Sequence, residues 1–356
     1  MTNTKSIKEL PYLIVGQGIA GSMLAWFLAQ AGTPFIIIDN NHKSSASKIA
    51  AGIINPITGR RFVKSWMIED FLPFARQTYQ AIEKELAVQV WKDMDIIRFF
   101  LNNAEGNNWL SKTTWEGYDK FLKKEKEAAY LNEIIYDEMG YGTVMGAKVN
   151  LGVLVKAFKK YFQAKEQLRT ESFEYELLEI EANYVKYKDL IAKKVIFCEG
   201  YKSAQNPWLN HLPFESAKGE ALILRIPSLQ TPDIIKKHFF IVPLENDLFW
   251  FGSNYEWDDL TDEPTQIGKD YLVDALKDIL KVDYEIVNHL AAVRPVLKDR
   301  RPALGLHPTH KNIAILNGMG TKGTSIAPYW AKEMVAFLTE KKEIPAEVDV
   351  QRFKVG

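Results

Sequence analysis

The chain has one cysteine, Cys198, in 356 residues, which excludes an internal disulfide and any cysteine-ligated metal cluster. Histidine is scarce as well. The six are scattered, and the closest two, His307 and His310, sit in a proline-containing turn that reads as surface, so no metal-ligand constellation is offered. Net charge is missing, because 45 Lys plus Arg balance 45 Asp plus Glu. No overall field therefore draws the chain to nucleic acid or anionic lipid, although a local basic patch stays open. No apolar run is long enough to span a bilayer, and Met1 to Leu10 lacks the apolar stretch and cleavage site of an export signal. Cytoplasm is the resulting expectation. Cys198 follows the apolar run Val195-Ile196-Phe197, so it reads as a small buried side chain rather than a reactive thiol.

What is present is an ordinary globular composition, long enough for two domains with cores of their own. The most informative stretch is Tyr12-Leu13-Ile14-Val15-Gly16-Gln17-Gly18-Ile19-Ala20-Gly21. A short apolar run, as in a buried parallel strand, enters a glycine turn. Ala20, Leu24, Phe27, Leu28 and Ala31 then mark one face of a helix. Gly32 stands where a left-handed cap would, Pro34 stops the helix, and Phe35-Ile36-Ile37-Ile38-Asp39 forms a second strand. Strand, glycine turn, helix and acid-terminated strand suit a dinucleotide with its pyrophosphate on the helix N-terminus. Gly16 permits the turn, Gly18 admits the phosphates, Gly21 allows close helix–strand packing, and Asp39 is spaced to meet ribose hydroxyls. The motif alone does not separate a nicotinamide from a flavin cofactor, since both carry ADP.

Further along, Ser44 to Gly52 is rich in small residues, which let backbone N–H groups approach a flat ring or a phosphate. Helical patterns cover Trp66 to Leu86 and Leu151 to Phe162. A hairpin turns at Lys188-Asp189, and a separate apolar strand, Val195 to Cys198, ends at Glu199-Gly200. Strands at Glu220 to Ile226, Phe239 to Val242 and Leu248 to Gly252 suggest an antiparallel sheet inserted into a parallel one, after which a helix at Tyr271 to Leu280 returns the chain to the first domain. Residues 100–147 show no clear periodicity. Near the end, the strand Ile313 to Leu316 runs into Asn317-Gly318-Met319-Gly320-Thr321-Lys322-Gly323-Thr324 and a second helix, with Pro328 expected in its first turn. Its N-terminal dipole favours negative charge, as on a reduced flavin ring.

In order along the chain, these segments resemble the D-amino-acid oxidase superfamily of FAD-dependent oxidoreductases, and its glycine oxidase-like members in particular. The likeness rests on GQGIAG with Asp39, on the Ser/Ala run closing at Ala50-Ala51-Gly52, and on the strand ending at Gly200. It continues with Phe240-Ile241-Val242-Pro243 and its hairpin to Gly252, then Arg294-Pro295 with Asp299, Pro302 and Gly305, and the final glycine loop leading to Ala327-Pro328. Ala50 to Pro56 also looks like the oxidase domain of the bifunctional enzyme that modifies the tRNA wobble uridine, without its methyltransferase partner. The resemblance implies an α/β chain, α+β overall: a Rossmann-like FAD-binding domain from 1–85, 148–212 and 288–356, and a discontinuous antiparallel-sheet substrate domain from 86–147 and 213–287.

It further implies FAD, held without a covalent bond, against Gly16, Gly18, Ile19, Ala20 and Gly21, Asp39 and Asn40, Ser47, Ala50, Ala51 and Gly52, Gly200, and Gly318, Gly320, Thr321, Lys322, Gly323 and Thr324. In such enzymes the C–H bond beside a substrate amine gives hydride to flavin N5, and dioxygen or another acceptor reoxidises the ring. By position, Arg294 matches the arginine that binds the substrate carboxylate, through a guanidinium fork suited to two parallel hydrogen bonds. Phe240 stands where glycine oxidase-like members often carry a carboxylate-binding tyrosine, so the absent hydroxyl counts against a small amino acid as the substrate. Rival readings are flavin-dependent oxidation of an aminomethyl-modified tRNA nucleoside, a non-catalytic nucleotide-binding protein, and an NAD-dependent dehydrogenase. The second glycine loop argues against the last.

Overall fold

A computed structural model describes residues 7–41, 44–123, 128–136 and 139–353. Residues 1–6 of the segment read for an export signal, and His42 beside the acid-terminated strand, lie outside the described residues, as do 354–356. Among the described residues, no helix is long and apolar enough to cross a membrane.

Two sheets organise the chain. The first is built on the strand Lys8–Val15, which pairs in parallel with Phe35–Asp39 on one side and Leu190–Phe197 on the other. Beyond these, Leu168–Thr170 and Ile313–Asn317 extend the parallel arrangement outward. Leu13, Ile14, Ile37, Val195, Ile196 and Ile315 are fully buried, as expected of strands covered on both faces. Each such side chain contributes about 1.5–3 kcal/mol of burial. The hairpin and the apolar strand expected separately are one element: Val185–Tyr187 pairs antiparallel with the start of Leu190–Phe197, whose whole length also runs along Lys8–Val15. A single strand serves both neighbours because each side of its backbone offers its own row of hydrogen-bonding groups.

The second sheet is mostly antiparallel and runs through Glu285–Arg294, Ala217–Arg225, Leu248–Gly252, Phe240–Pro243, Ile234–Lys236, Trp91–Phe99 and Tyr141–Val149 in that spatial order. Two of its strands, Tyr141–Val149 and Glu285–Arg294, span positions 147 and 288, so both of these expected domain edges fall inside strands. Alternation sorts its faces. Ile97, Leu222, Leu224, Ile235, Ile241 and Phe251 form an outer cluster with Leu272 and Leu276, whereas Ile96, Ala221, Ile234, Val242 and Trp250 join the core shared with the first sheet's helices. The helix expected to return the chain to the first domain instead covers this outer face. It spans Gln266–Lys277, is capped by the Thr265 hydroxyl accepting from Gly268 N at 3.0 Å, and starts earlier than its periodicity suggests.

Two local readings change and one holds. His307 is buried, not on the surface: its Nδ1 accepts from the backbone N–H of Thr309 and His310 at 3.2 and 3.1 Å, and burial, reinforced by His211 and His310, depresses its pKa to about 4. The last helix begins at Gly323, which puts Pro328 in its second turn rather than its first. Pro328 has no N–H to give the Thr324 carbonyl, and the fully buried Tyr79 hydroxyl donates to that oxygen at 2.8 Å instead. Tyr79→Phe is therefore expected to cost about 1–3 kcal/mol by orphaning a buried carbonyl. A denaturant midpoint equal to wild type would show that water reaches the group. Cys198 is buried as read, its thiol pushed up by desolvation.

Candidate active site

Three glycine segments lie at the carboxyl ends of adjacent parallel strands: Gly16–Gly21 after Val15, Gly200 after Phe197, and Gly318–Gly323 after Asn317. Sequence distance between the first and last is therefore erased by sheet order. Asn317 ties two of them together, its side-chain amide donating to Gly200 O at 2.8 Å and to Ser203 Oγ at 2.7 Å. The helices that follow, Ile19–Gln30 and Gly323–Glu340, pack on each other, and a Cβ added at Gly323 would lie 3.4 Å from Ile19 Cγ2. Neither N-terminus has a side-chain cap or an acidic residue in its first turn. Two positive helix ends thus sit side by side with no acidic residue in either first turn, an arrangement suited to an anionic ligand.

The glycines divide by what requires them. A Cβ at Gly21 would fall 1.9 Å from Gly16 O, and one at Gly16, whose φ is +98°, 2.6 Å from Cys198 O; both are demanded by the protein's own packing. At Gly18 the nearest atom would be Ser47 Oγ at 3.3 Å, and at Gly320 Val296 Cγ2 at 3.7 Å. Nothing internal explains Gly18 as strictly as it explains Gly21, which fits space kept for a dinucleotide. Asp39 accepts Gln17 N at 2.8 Å and Asn41 N at 2.7 Å, one on each carboxylate oxygen, leaving a lone pair on each for ribose hydroxyls. Asn40 is exposed just beyond it. Ser47 reaches the same turn, its Oγ accepting Ile19 N at 2.9 Å. Thr321 is exposed, Thr324 is buried in the helix, and Lys322 Nζ donates to Ser65 Oγ at 3.2 Å. These residues are able to hold FAD.

The segment carrying Ala50, Ala51 and Gly52 runs between the two sheets. Trp250 Nε1 donates to Ile49 O at 3.0 Å, and Ser44 Oγ donates to Ala291 O at 2.8 Å. The face of the second sheet that bears Trp250 is therefore the one turned to the dinucleotide region. Phe240, opposite Gly252, and Arg294, in step with Leu290 and Ala292, lie on this face.

Arg294 is held more tightly than its sequence position suggests. Its guanidinium donates to the carbonyls of Lys218 and Asn254 at 3.1 and 3.2 Å, more distantly to Ala217 O at 3.5 Å, and to the Ser253 hydroxyl. The Tyr255 ring covers it at 4.4 Å. Every acceptor is neutral, and among the described residues no carboxylate lies within ion-pair distance. Burial pushes the group below its usual range, partly opposed by Tyr255. The fork expected to meet a carboxylate is, in this structure, turned onto protein oxygens, while its charge has no partner. Three residues that matter here escape sequence reading: Gly219, where a Cβ would fall 1.9 Å from the Arg294 guanidinium, Ser253 and Tyr255. A glycine inside a strand was the only signal for the first; the loop after Gly252 carried none.

Comparison with known proteins agrees with this arrangement. Glycine oxidase of Bacillus subtilis (strain 168) is 24% identical over 348 residues, covering 89% of each chain. The bifunctional protein MnmC of Marinobacter nauticus, named for tRNA 5-methylaminomethyl-2-thiouridine biosynthesis, is 22% identical over 90% of this chain but only 54% of its own length. The crystal structure of glycine oxidase from Geobacillus kaustophilus superposes with a TM-score of 0.79 at 19% identity, covering 98% of both chains. The family of FAD dependent oxidoreductases designated DAO matches residues 12–337. With adjoining glycine loops at the ends of its parallel strands and a second sheet facing them, the chain belongs to this family of FAD-dependent oxidoreductases.

Proposed function

We propose that the chain oxidises the carbon beside the nitrogen of an amine or amino acid that carries a carboxylate. The observation that carries this reading is Arg294, a guanidinium with no carboxylate within ion-pair distance among the described residues, on the sheet face turned toward the proposed FAD region. Burying an uncompensated cation is costly, and a substrate carboxylate would offset that cost. The relatives named as glycine oxidases support the same substrate class. When bound, FAD supplies the two-electron acceptor for the C–H bond, with dioxygen or another oxidant regenerating it.

The chain's own residues bind, orient and dry the substrate. Arg294, held in place by backbone carbonyls, would give the carboxylate its Nε–H and, as the Ser253 hydroxyl swings away, a second N–H. Tyr255 closes over the guanidinium and limits water around it. Phe240 supplies an apolar wall and no hydroxyl, leaving the carboxylate to Arg294. Positioning of this kind accounts for much of the rate in a reaction whose chemistry belongs to the cofactor.

An absorbance scan of the purified protein, followed by anaerobic titration with a panel of amines and amino acids, tests the reading. The expected result is a flavin spectrum that bleaches with carboxylate-bearing amines. A colourless protein that takes up no FAD would favour a non-catalytic nucleotide binder. A flavin that bleaches only with amines lacking a carboxylate would remove Arg294 from substrate binding.

A further inference from the structure

Lys236 lies on the same dinucleotide-facing side of the second sheet as Arg294 and Phe240. The register sets Arg98, Lys236, Phe240 and Gly252 opposite one another on consecutive strands, and directly opposed residues share a face. Lys236 Nζ stands 4.5 Å from the Phe240 ring centroid and donates to one backbone carbonyl, that of His238. Arg98, next to it, is matched by Glu105 at 3.6 Å and lies over the Phe62 ring at 4.3 Å. Buried Glu105 is, among the described residues, the one carboxylate acting on both cations, so the cluster of Arg98, Lys236 and Glu105 keeps a net charge of one positive. The lysine side chain is half-buried.

A lysine in such a place is unusual, because an exposed ammonium is solvated by water and a buried one is ordinarily paired. Desolvation, with repulsion from Arg98 and partial relief from Glu105, lowers its pKa to about 8, so the ammonium form still prevails at neutral pH. The strand bearing Lys236 and the one ending at Gly252, beside the Ser253 hydroxyl that Arg294 meets, are two strand spacings apart. That is about 10 Å of sheet. Phe240 lies between them, so an apolar floor separates two cations that have, among the described residues, no carboxylate within ion-pair distance.

Resting on the amine-oxidation reading above, we propose that Lys236 forms a second anion subsite and that the preferred substrates are amines with two anionic groups, one on each side of the reacting nitrogen. Arg294 takes one anion, Lys236 the other, and the reacting carbon lies over Phe240.

The test compares iminodiacetate with N-methylglycine, which share the reacting N–CH2–carboxylate unit and differ by one carboxylate. Wild-type holoprotein is expected to favour iminodiacetate by more than tenfold in kcat/KM. Lys236→Met keeps the aliphatic stem and removes the charge; the preference should fall more than tenfold, mainly through the KM for iminodiacetate, and Lys236→Arg should restore most of it. Calorimetric titration of holoprotein with thiodiacetate and with (methylthio)acetate, which have no amine to oxidise, reads binding apart from turnover. The dianion should bind more than tenfold tighter, and Lys236→Met should erase the difference. Amine bleaching with a preference that Lys236→Met leaves intact would overturn the subsite and leave the oxidase reading standing. Tight, Lys236-dependent thiodiacetate binding in a protein that no amine reduces would uphold the subsite and overturn the oxidase reading. Equal binding of both thioethers by wild type would overturn the subsite outright.

Discussion

Arg294→Ala is expected to lower kcat/KM for a carboxylate-bearing substrate by about 30- to 1000-fold, the range for truncating one partner of a buried charge-assisted contact at about 2–4 kcal/mol. The loss should appear mainly in KM, and the FAD content of the purified variant should match wild type. Because the same guanidinium fastens Lys218, Ser253 and Asn254, the variant will also loosen the loop that carries Tyr255, and a lower melting temperature is expected. The two effects separate by substrate. An amine without a carboxylate feels only the loosened loop, so its kcat/KM should fall far less than that of the matching amino acid. Equal losses for both would assign Arg294 a structural role only. Unchanged kinetics for the amino acid would remove it from the site.

The second large effect separates two glycines of one motif. Gly21→Ala drives a methyl to 1.9 Å from Gly16 O, a backbone atom in the same turn, and that turn is itself braced against Cys198 and Glu199. Neither side has room to yield, so the apoprotein should lose at least about 3 kcal/mol, the upper range for overpacking a close-packed core, and melt several degrees lower or fail to fold. Gly18→Ala meets only a hydroxyl at 3.3 Å, the end of a side chain able to turn. Its apoprotein melting temperature should stay near wild type while FAD affinity falls tenfold or more. FAD fluorescence on titrating apoprotein, read beside its thermal melt, distinguishes the two. A Gly18→Ala variant that keeps FAD as firmly as wild type would show that the cofactor does not approach the backbone there.

Much of the nucleotide half was legible from residue order. Strand, turn, helix and acid from Tyr12 to Asp39 form within about thirty residues, and each step has a local cause: apolar run, glycine, helical face, left-handed cap, proline. The second glycine loop was legible for the same reason. Elsewhere local pattern misled. The hairpin and the apolar strand before Cys198 read as two elements because strand pairing, not sequence, decides that they are continuous. His307 read as surface because a proline turn usually is; its ring turns inward to accept two backbone N–H groups. Gly219 offered only a glycine within a strand, and Ser253, Tyr255 and Lys236 carried no signal, since each matters only through a neighbour on another strand.

The order of residues by itself determined a strand, glycine turn and helix of the kind that suits ADP, a second glycine-headed helix, and an arginine at position 294 within a familiar pattern. Those features depend on interactions a few residues long. Tertiary structure alone decided that the two helix ends meet, that Arg294 has neutral acceptors and, among the described residues, no counter-charge, and that Lys236 shares its face across Phe240. Sheet register brings together residues scores of positions apart, and whether a buried charge is paired depends on that meeting rather than on its place in the chain.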